Sequence, residues 1–197
     1  MKIQTAERAS SFHAADNPVY QRHLVAYERA AEMISGDVLE IGCGEGYGIP
    51  MLAPKANNYV AIDKYTASLE NLPENASFIQ TMVPELKEFE TDSFDWIVSF
   101  QVIEHIPDDK RFLEEIRRVL KPGGSVLFTT PNKKQSLSRN PFHIREYTVA
   151  EMYAHTNLYF DKIDHQGIFG KEKMMQYHEE NRKSVEKFTR FDILNLQ

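Results

Sequence analysis

Val38-Leu39-Glu40-Ile41-Gly42-Cys43-Gly44-Glu45-Gly46-Tyr47-Gly48 is the stretch on which the fold turns. A short run that is mostly apolar passes directly into a turn with glycines at 42, 44 and 46, and the pattern predicts a short helix at 46–53. Glycines in such a turn let the backbone pass close to a ligand and tolerate positive φ. Working outward, similar runs recur at 59–62, 78–79, 96–100 and 126–128. Near-continuous apolar runs are what strands covered on both faces require. The clearest helix between them spans 108–120, with Phe112, Leu113, Ile116, Val119 and Leu120 on one face. Asp108 and Asp109 sit at its positive end and Arg117 and Arg118 at its negative end. Lys121-Pro122-Gly123-Gly124 stops it. This alternation predicts an α/β fold, a doubly wound and mostly parallel sheet with helices on both faces. In such sheets a ligand sits at the carboxyl ends of the strands.

The flanks are read with less regularity. Residues 1–16 are small and polar and read as an arm. Asn17-Pro18 starts a helix, with Tyr20, Leu24, Tyr27, Ala31 and Ile34 on one stripe and Gly36 at its end. Residues 1–36 are thus expected to cover the ligand site, 37–132 to form the binding core, and 133–197 to supply the other side of the site within the same domain. In that last part, 133–140 is a polar loop, and Thr148 with Glu151 forms a capping box that opens a helix over 148–156. The pattern then predicts an edge strand at 159–169 and a charged surface helix at 171–190. The apolar end, 191–196, has nothing left to pack against, so the sheet is expected to lack its last strand and the chain to stop before its natural finish.

Composition narrows the classes. A length of 197 residues with 42% hydrophobic side chains is enough for one domain with a sizeable core. A net charge of −6 argues against a protein that mainly neutralises nucleic-acid phosphates. The single cysteine, Cys43, excludes an internal disulfide and any multi-cysteine zinc site. No apolar run approaches the ~18 residues of a membrane span, and the N-terminus lacks an apolar signal-peptide core. The expectation is a soluble, cytoplasmic protein.

Asp63 closes the second apolar run, 21 residues after Gly42, where a nucleoside-binding sheet presents a carboxylate to two ribose hydroxyls. A dinucleotide fingerprint would place its third glycine at Tyr47, which argues against a nicotinamide-dependent oxidoreductase. The acid Glu40 ahead of the turn better suits a ligand without phosphates and with a positively charged amino-acid end. The segment resembles motif I of the class I S-adenosylmethionine-dependent methyltransferases, E/D-x-G-x-G-x-G. The resemblance continues through Ile62-Asp63-Lys64, Ser93-Phe94-Asp95-Trp96-Ile97-Val98, Val102-Ile103-Glu104-His105-Ile106-Pro107-Asp108, Leu120-Lys121-Pro122-Gly123-Gly124 and Thr130-Pro131-Asn132. It covers 37–132 in order and is nearest the subgroup that includes ubiquinone- and menaquinone-biosynthesis methyltransferases.

The resemblance implies S-adenosylmethionine as cofactor and S-adenosylhomocysteine as product. It implies that Glu40, Gly42 and Gly44 face the methionine part, with Cys43 a small residue that fits the loop. Asp63 would hold the ribose and Lys64 would lie beside the adenine. Phe100 and Gln101 would form the floor under the sulfonium. Many relatives carry an acid on the third strand for the adenine amino group. Here Met82-Val83 stands there, so adenine recognition would use backbone and apolar contact.

Methyl transfer from a sulfonium is an in-line displacement with an activated leaving group, so holding the acceptor in line and excluding water is most of the task. The catalytic candidates are His105, after the fourth strand, and His143 and Arg145, after the fifth. A histidine with the ordinary pKa of ~6.5 can take a proton from a hydroxyl near neutral pH, and Arg145 could orient a carboxylate. The plain alternatives are helix-start hydrogen bonding for Glu104-His105 and a surface pair for Arg145-Glu146. In some relatives the equivalent of Gln101-x-x-Glu104-His105 reads E-x-x-E-H and holds a divalent cation. Two histidines and one carboxylate could in principle bind a cation, but with an amide in place of the first acid the cluster offers one formal charge and would hold a hard cation weakly, so no metal is expected. Arg22-His23 on the first helix could cover the cofactor, but reads first as a solvated face. The acceptor is expected to be a small molecule methylated on oxygen, nitrogen or carbon. The missing D/N-P-P-Y segment speaks against amino-group enzymes acting on DNA bases or protein glutamine. The remaining alternatives are an RNA methyltransferase, against which the acidity and the lack of a basic, aromatic-interleaved stretch count, and a cofactor-binding protein without transferase activity. The sequence sets no oligomeric state.

Overall fold

The computed structural model describes residues 17–65, 71–136, 140–168 and 176. Five strands form one sheet: β1 (Asp37–Ile41), β2 (Asn58–Asp63), β3 (Ala76–Gln80), β4 (Phe94–Phe100) and β5 (Leu120–Thr129). Their spatial order is β3-β2-β1-β4-β5 and every pairing is parallel. The helices are α1 (Asn17–Ala31), α2 (Ile49–Leu52), α3 (Asp109–Val119) and α4 (Val149–Thr156). The doubly wound reading therefore holds. One apolar layer lies beneath α3 and α4 and contains Leu39, Ile41, Ile97, Phe112, Ile116 and Met152. The other lies beneath α1 and α2 and contains Ala30, Val38, Ile49, Leu52, Tyr59 and Val98. The connection reverses direction between β1 and β4, so the crevice for a ligand opens at their carboxyl ends.

Local chemistry accounts for the boundaries. Asp108 caps α3 by accepting a hydrogen bond from the Arg111 amide, and the Thr148–Glu151 capping box is present on α4. Leu120 already belongs to β5 and pairs with Phe94, after which the ladder breaks and resumes at Trp96 and Ser125. Pro122-Gly123-Gly124 thus stops the helix and is taken up as an irregularity inside the following strand, because proline cannot donate to a ladder. The helix expected at 46–53 is shorter and later, at Ile49–Leu52, since the glycine turn runs on through Gly48.

One expectation is corrected. Residues 159–168 form no strand. The amides of Tyr159 and Phe160 bond back to the Thr156 carbonyl, which turns the chain away from an extended path. No helix fills 81–93 between β3 and β4; Leu86 alone is buried there, its amide held by the Glu115 carboxylate at 3.0 Å. The arm at 1–16, the apolar end at 191–196 and all but residue 176 of the charged helix at 171–190 lie outside the described residues. Among the described residues no helix is long and apolar enough to cross a membrane.

Candidate active site

The glycine turn curls from β1 toward the end of β2, with the amides of Gly42 and Cys43 donating to the Ile62 carbonyl at 2.8 and 3.1 Å. Gly42 has φ +79°, and a Cβ there would lie 2.3 Å from Val102 Cγ2, so packing alone demands glycine. Gly44 has φ +59°, and among the described residues a Cβ there would meet nothing within 4 Å. Open space above one glycine, beside another that is fully packed, is the shape of a cradle. Asp63 stands beside it. Its carboxylate accepts the Gly44 amide at 2.9 Å and the Tyr65 amide at 2.9 Å, so the turn and the strand-end acid are fixed to each other. Cys43 is buried and fills the layer beneath α1.

Glu40, expected to face the ligand, is only 2% exposed. One carboxylate oxygen accepts the Tyr27 hydroxyl at 2.5 Å and the other the Tyr59 hydroxyl at 2.6 Å. Burial pushes its pKa up, while the two hydroxyls pull the other way. The acid therefore stands behind the turn and joins it to α1. Sequence reasoning placed Tyr27 on the apolar stripe of α1 and Tyr59 in an apolar run. The hydroxyls were the signal, since a buried tyrosine usually finds a partner for its OH. His23 is likewise not on a solvated face. Its ring stacks on Tyr47, with Nδ1 2.5 Å from the Tyr47 hydroxyl. Burial first, and Arg22 second, lower its pKa to about 4, so it is neutral at physiological pH.

The remaining ligand-side candidates line the same edge. Lys64 Nζ lies 5.0 Å from the centre of the Tyr65 ring, and its carbonyl accepts the Gln80 amide nitrogen at 3.0 Å. Met82 is 71% exposed, and Val83 packs against the core beneath α3. Phe100 is buried edge-on to Tyr27 at 4.9 Å. Gln101 takes a positive φ of 57°, which turns its amide to the Thr129 hydroxyl at 3.2 Å.

Beyond β4, a short turn of 3-10 helix at Ile103–His105 meets the 140–147 loop. The Glu104 carbonyl accepts the amides of Ile144 and Arg145 at 2.8 and 3.2 Å, which clamps the two segments together. His105 and His143 stand edge to face at 4.9 Å. Backbone and carboxylate acceptors orient the two rings: His105 Nδ1 lies 2.9 Å from the Phe142 carbonyl and His143 Nδ1 lies 2.7 Å from Glu146 Oε1. Glu104 is fully buried, with one oxygen on the Thr130 hydroxyl at 3.0 Å and the other without a hydrogen-bond partner among the described residues. Burial pushes its pKa up to about 8. Arg145 is engaged elsewhere. Its half-exposed guanidinium bonds the buried carboxylate of Asp109, which also accepts the Tyr147 hydroxyl at 2.7 Å. The structure thus joins His105 to His143 directly and Arg145 to them through the backbone of Glu104.

Ligand atoms of Glu104, His105 and His143 lie within 4.8 Å of one another. Two imidazoles and a carboxylate are a donor set that suits a divalent transition metal. The metal-free expectation sets two histidines and one carboxylate aside because Gln101 leaves the cluster a single formal charge; the structure brings those three residues together.

Comparison with known proteins bears on the family and the fold. A family profile described as a methyltransferase domain matches residues 39–128. A probable S-adenosylmethionine-dependent methyltransferase of Mycolicibacterium smegmatis is 38% identical over 156 residues, 75% of this chain and 61% of that protein. The chain thus spans less than two thirds of that relative's length. A ubiquinone biosynthesis O-methyltransferase of Hahella chejuensis is 34% identical over 113 residues, 54% of this chain and 47% of that one. Among solved structures, an S-adenosylmethionine-dependent methyltransferase from Mesorhizobium loti superposes with a TM-score of 0.65 at 15% identity, covering 84% of this chain and 93% of that chain. At that identity the likeness speaks for the fold.

Proposed function

The chain belongs, through its core, to the class I S-adenosylmethionine-dependent methyltransferases, and from that premise we propose that it transfers the methyl group of S-adenosylmethionine to a hydroxyl of a small molecule. One observation carries the reading. The open cradle at Gly44 and Asp63 and the His105–His143 pair both leave the sheet at the carboxyl ends of its strands. A cofactor held by the first would present its sulfonium toward an acceptor held by the second. The ubiquinone-biosynthesis relative, an O-methyltransferase by name, supports the choice of oxygen.

In this reading the turn and Asp63 hold the methionine and ribose parts, with Phe100 and Gln101 beneath the sulfonium and Lys64, Met82 and Val83 around the adenine. An acceptor oxygen in line with the methyl group displaces S-adenosylhomocysteine, and its proton passes to an imidazole nitrogen of His105. His143 orients the acceptor from the facing segment. The test is incubation of the full chain with radiolabelled S-adenosylmethionine and a panel of small hydroxyl compounds, with RNA as a separate arm. Label transferred to RNA alone would replace the small-molecule reading. Cofactor binding without transfer to any acceptor would favour a non-catalytic binding protein.

His105→Ala is expected to lower turnover about a hundredfold, the smaller end of what a positioned base contributes, while the calorimetric affinity for S-adenosylhomocysteine stays within a factor of about two. Unaltered turnover would return His105 to a structural role. Arg145→Ala should act mainly on stability. The ion pair it removes is half-exposed, so a loss of about 1 kcal/mol is expected in thermal unfolding.

The reading needs no cation, because the Gln101 amide is turned to Thr129 and His143 lies within hydrogen-bond distance of both Glu146 and Asn140. A second reading is favoured by the convergence of Glu104, His105 and His143. These three residues would hold a divalent cation, which would supply Lewis-acid polarisation of an acceptor oxygen. Chelation separates the two. Turnover that survives dialysis against EDTA is the expected result, and loss restored by manganese or zinc would establish the cation.

A further inference from the structure

Tyr27, read from the sequence only as part of an apolar stripe, touches β1, the glycine turn and the end of β4. It lies on α1, outside the sheet, yet its hydroxyl reaches Glu40 on β1. The ring is edge-on to Tyr47 at 5.6 Å and to Phe100 at 4.9 Å. A Cβ on Gly48 would lie 2.0 Å from the ring, so the end of the glycine turn is shaped to receive it. Behind Glu40 the second hydroxyl comes from Tyr59 on β2, the strand that ends in Asp63. The two tyrosines therefore clamp one carboxylate from the helix side and from the ribose-acid strand. Glu40 lies two residues ahead of Gly42, so any shift of its side chain is passed along β1 into the turn.

We propose that Tyr27 is a positioning residue of the cofactor site, whose hydroxyl on Glu40 fastens α1 to β1 and sets the spacing between the glycine turn and Asp63. This rests on the reading that the turn and Asp63 bind the cofactor. A carboxylate with almost no exposure to water depends on its two hydroxyl donors to stay charged. Without one of them it is left as a buried charge short of a partner, or it takes up a proton that then needs an acceptor. Of the two, protonation displaces Glu40 and the turn attached to it further, because the carboxylate keeps the remaining hydroxyl bond. The groups facing Glu40 are Tyr27 from α1, Tyr59 and Asp63 from β2, and Tyr47 from the turn segment. Among the described residues the groups bonded to the Glu40 carboxylate are tyrosine hydroxyls, and they favour its charged form against the effect of burial.

The sign of the pH dependence follows. The two hydroxyl bonds lower the Glu40 pKa against the effect of burial, so removing one raises it, and the protonated fraction grows as pH falls. Tyr27→Phe keeps the ring against Gly48, Tyr47 and Phe100 and deletes only the hydroxyl. Calorimetric titration with S-adenosylhomocysteine at pH 6, 7, 8 and 9 is expected to show affinity roughly tenfold weaker at pH 6, with the loss shrinking toward pH 9. Tyr59→Phe should shift the same limb in the same direction. Glu40→Gln in the Tyr27→Phe background removes the titrating group and should flatten the profile. A merely structural hydroxyl would lower the melting temperature and leave the affinity at every pH unchanged. That result in both tyrosine variants, with the parent protein binding normally, overturns the proposal and leaves the cofactor reading intact. Failure of the parent protein to bind S-adenosylhomocysteine at any of these pH values overturns both.

Discussion

Asp63→Ala is expected to weaken S-adenosylhomocysteine binding by a factor of about 10² to 10⁴. In the proposed pose its carboxylate accepts bonds from two ribose hydroxyls, each worth about 1.5–3 kcal/mol because the acceptor is charged. The same oxygens now hold the amides of Gly44 and Tyr65. Alanine would remove the ribose acceptor and release the turn from the end of β2 in one step, so the loss should lie toward the upper part of that range. Asp63→Asn separates the two contributions. Its amide oxygen can still accept one backbone bond, so the turn is partly retained while the charge is gone, and an intermediate affinity is expected. Isothermal titration of both variants against S-adenosylhomocysteine is the measurement. Normal affinity in Asp63→Ala would remove the carboxylate from the site, and binding of NADH in place of S-adenosylhomocysteine would reverse the choice of cofactor.

The sheet was legible because its signals are local. Apolar runs at 38–41, 59–62 and 96–100 reappear as strands, and the Thr148–Glu151 box caps a helix where it was read. The edge strand misread at 159–168 is one where a residue of the preceding helix decides. The 159–168 stretch alternates like a strand, but the last carbonyl of α4, that of Thr156, captures its first two amides. Residues 81–93 stay irregular while their backbone is held by side chains of α3, Glu115 on the Leu86 amide and Arg118 on the Leu86 and Phe89 carbonyls. The candidate site divides in the same way. Gly44 and Asp63 could be paired from spacing along the chain, and their amide–carboxylate bond agrees with that. Glu40 was identified by type, but its surroundings come from α1 and β2, and no spacing in sequence announces two tyrosines on one acid. His105 and His143 are 38 positions apart in the chain and meet only because the Glu104 carbonyl holds the later loop. Arg145 looked like a ligand for an acceptor carboxylate because it follows the fifth strand. Asp109, buried at the start of α3, engages its guanidinium.

Gly44→Val is expected to abolish cofactor binding while the fold survives, and the neighbouring Gly42 provides the contrast that makes the result informative. At Gly42 an added Cβ would collide with Val102 Cγ2 at 2.3 Å, so Gly42→Ala should disturb the packing between the turn and the segment after β4. Overpacking of that kind costs about 1–3 kcal/mol, and the melting temperature should fall accordingly. Among the described residues the same atom at Gly44 would meet nothing within 4 Å. The cost to the fold is then mainly that of the backbone, since φ of +59° is disfavoured for a residue with a Cβ by roughly 1–2 kcal/mol, and more for a β-branched one. A valine there would fill space that the reading assigns to the methionine part of the cofactor. Circular dichroism should show the parent's helix and strand content, with a modest drop in melting temperature. Titration with S-adenosylhomocysteine should show no heat, and the ligand should no longer raise the melting temperature as it does for the parent protein. A Gly44→Val protein that binds with the parent's affinity would mean that the open space belongs to solvent and that the cofactor lies elsewhere along the strand ends.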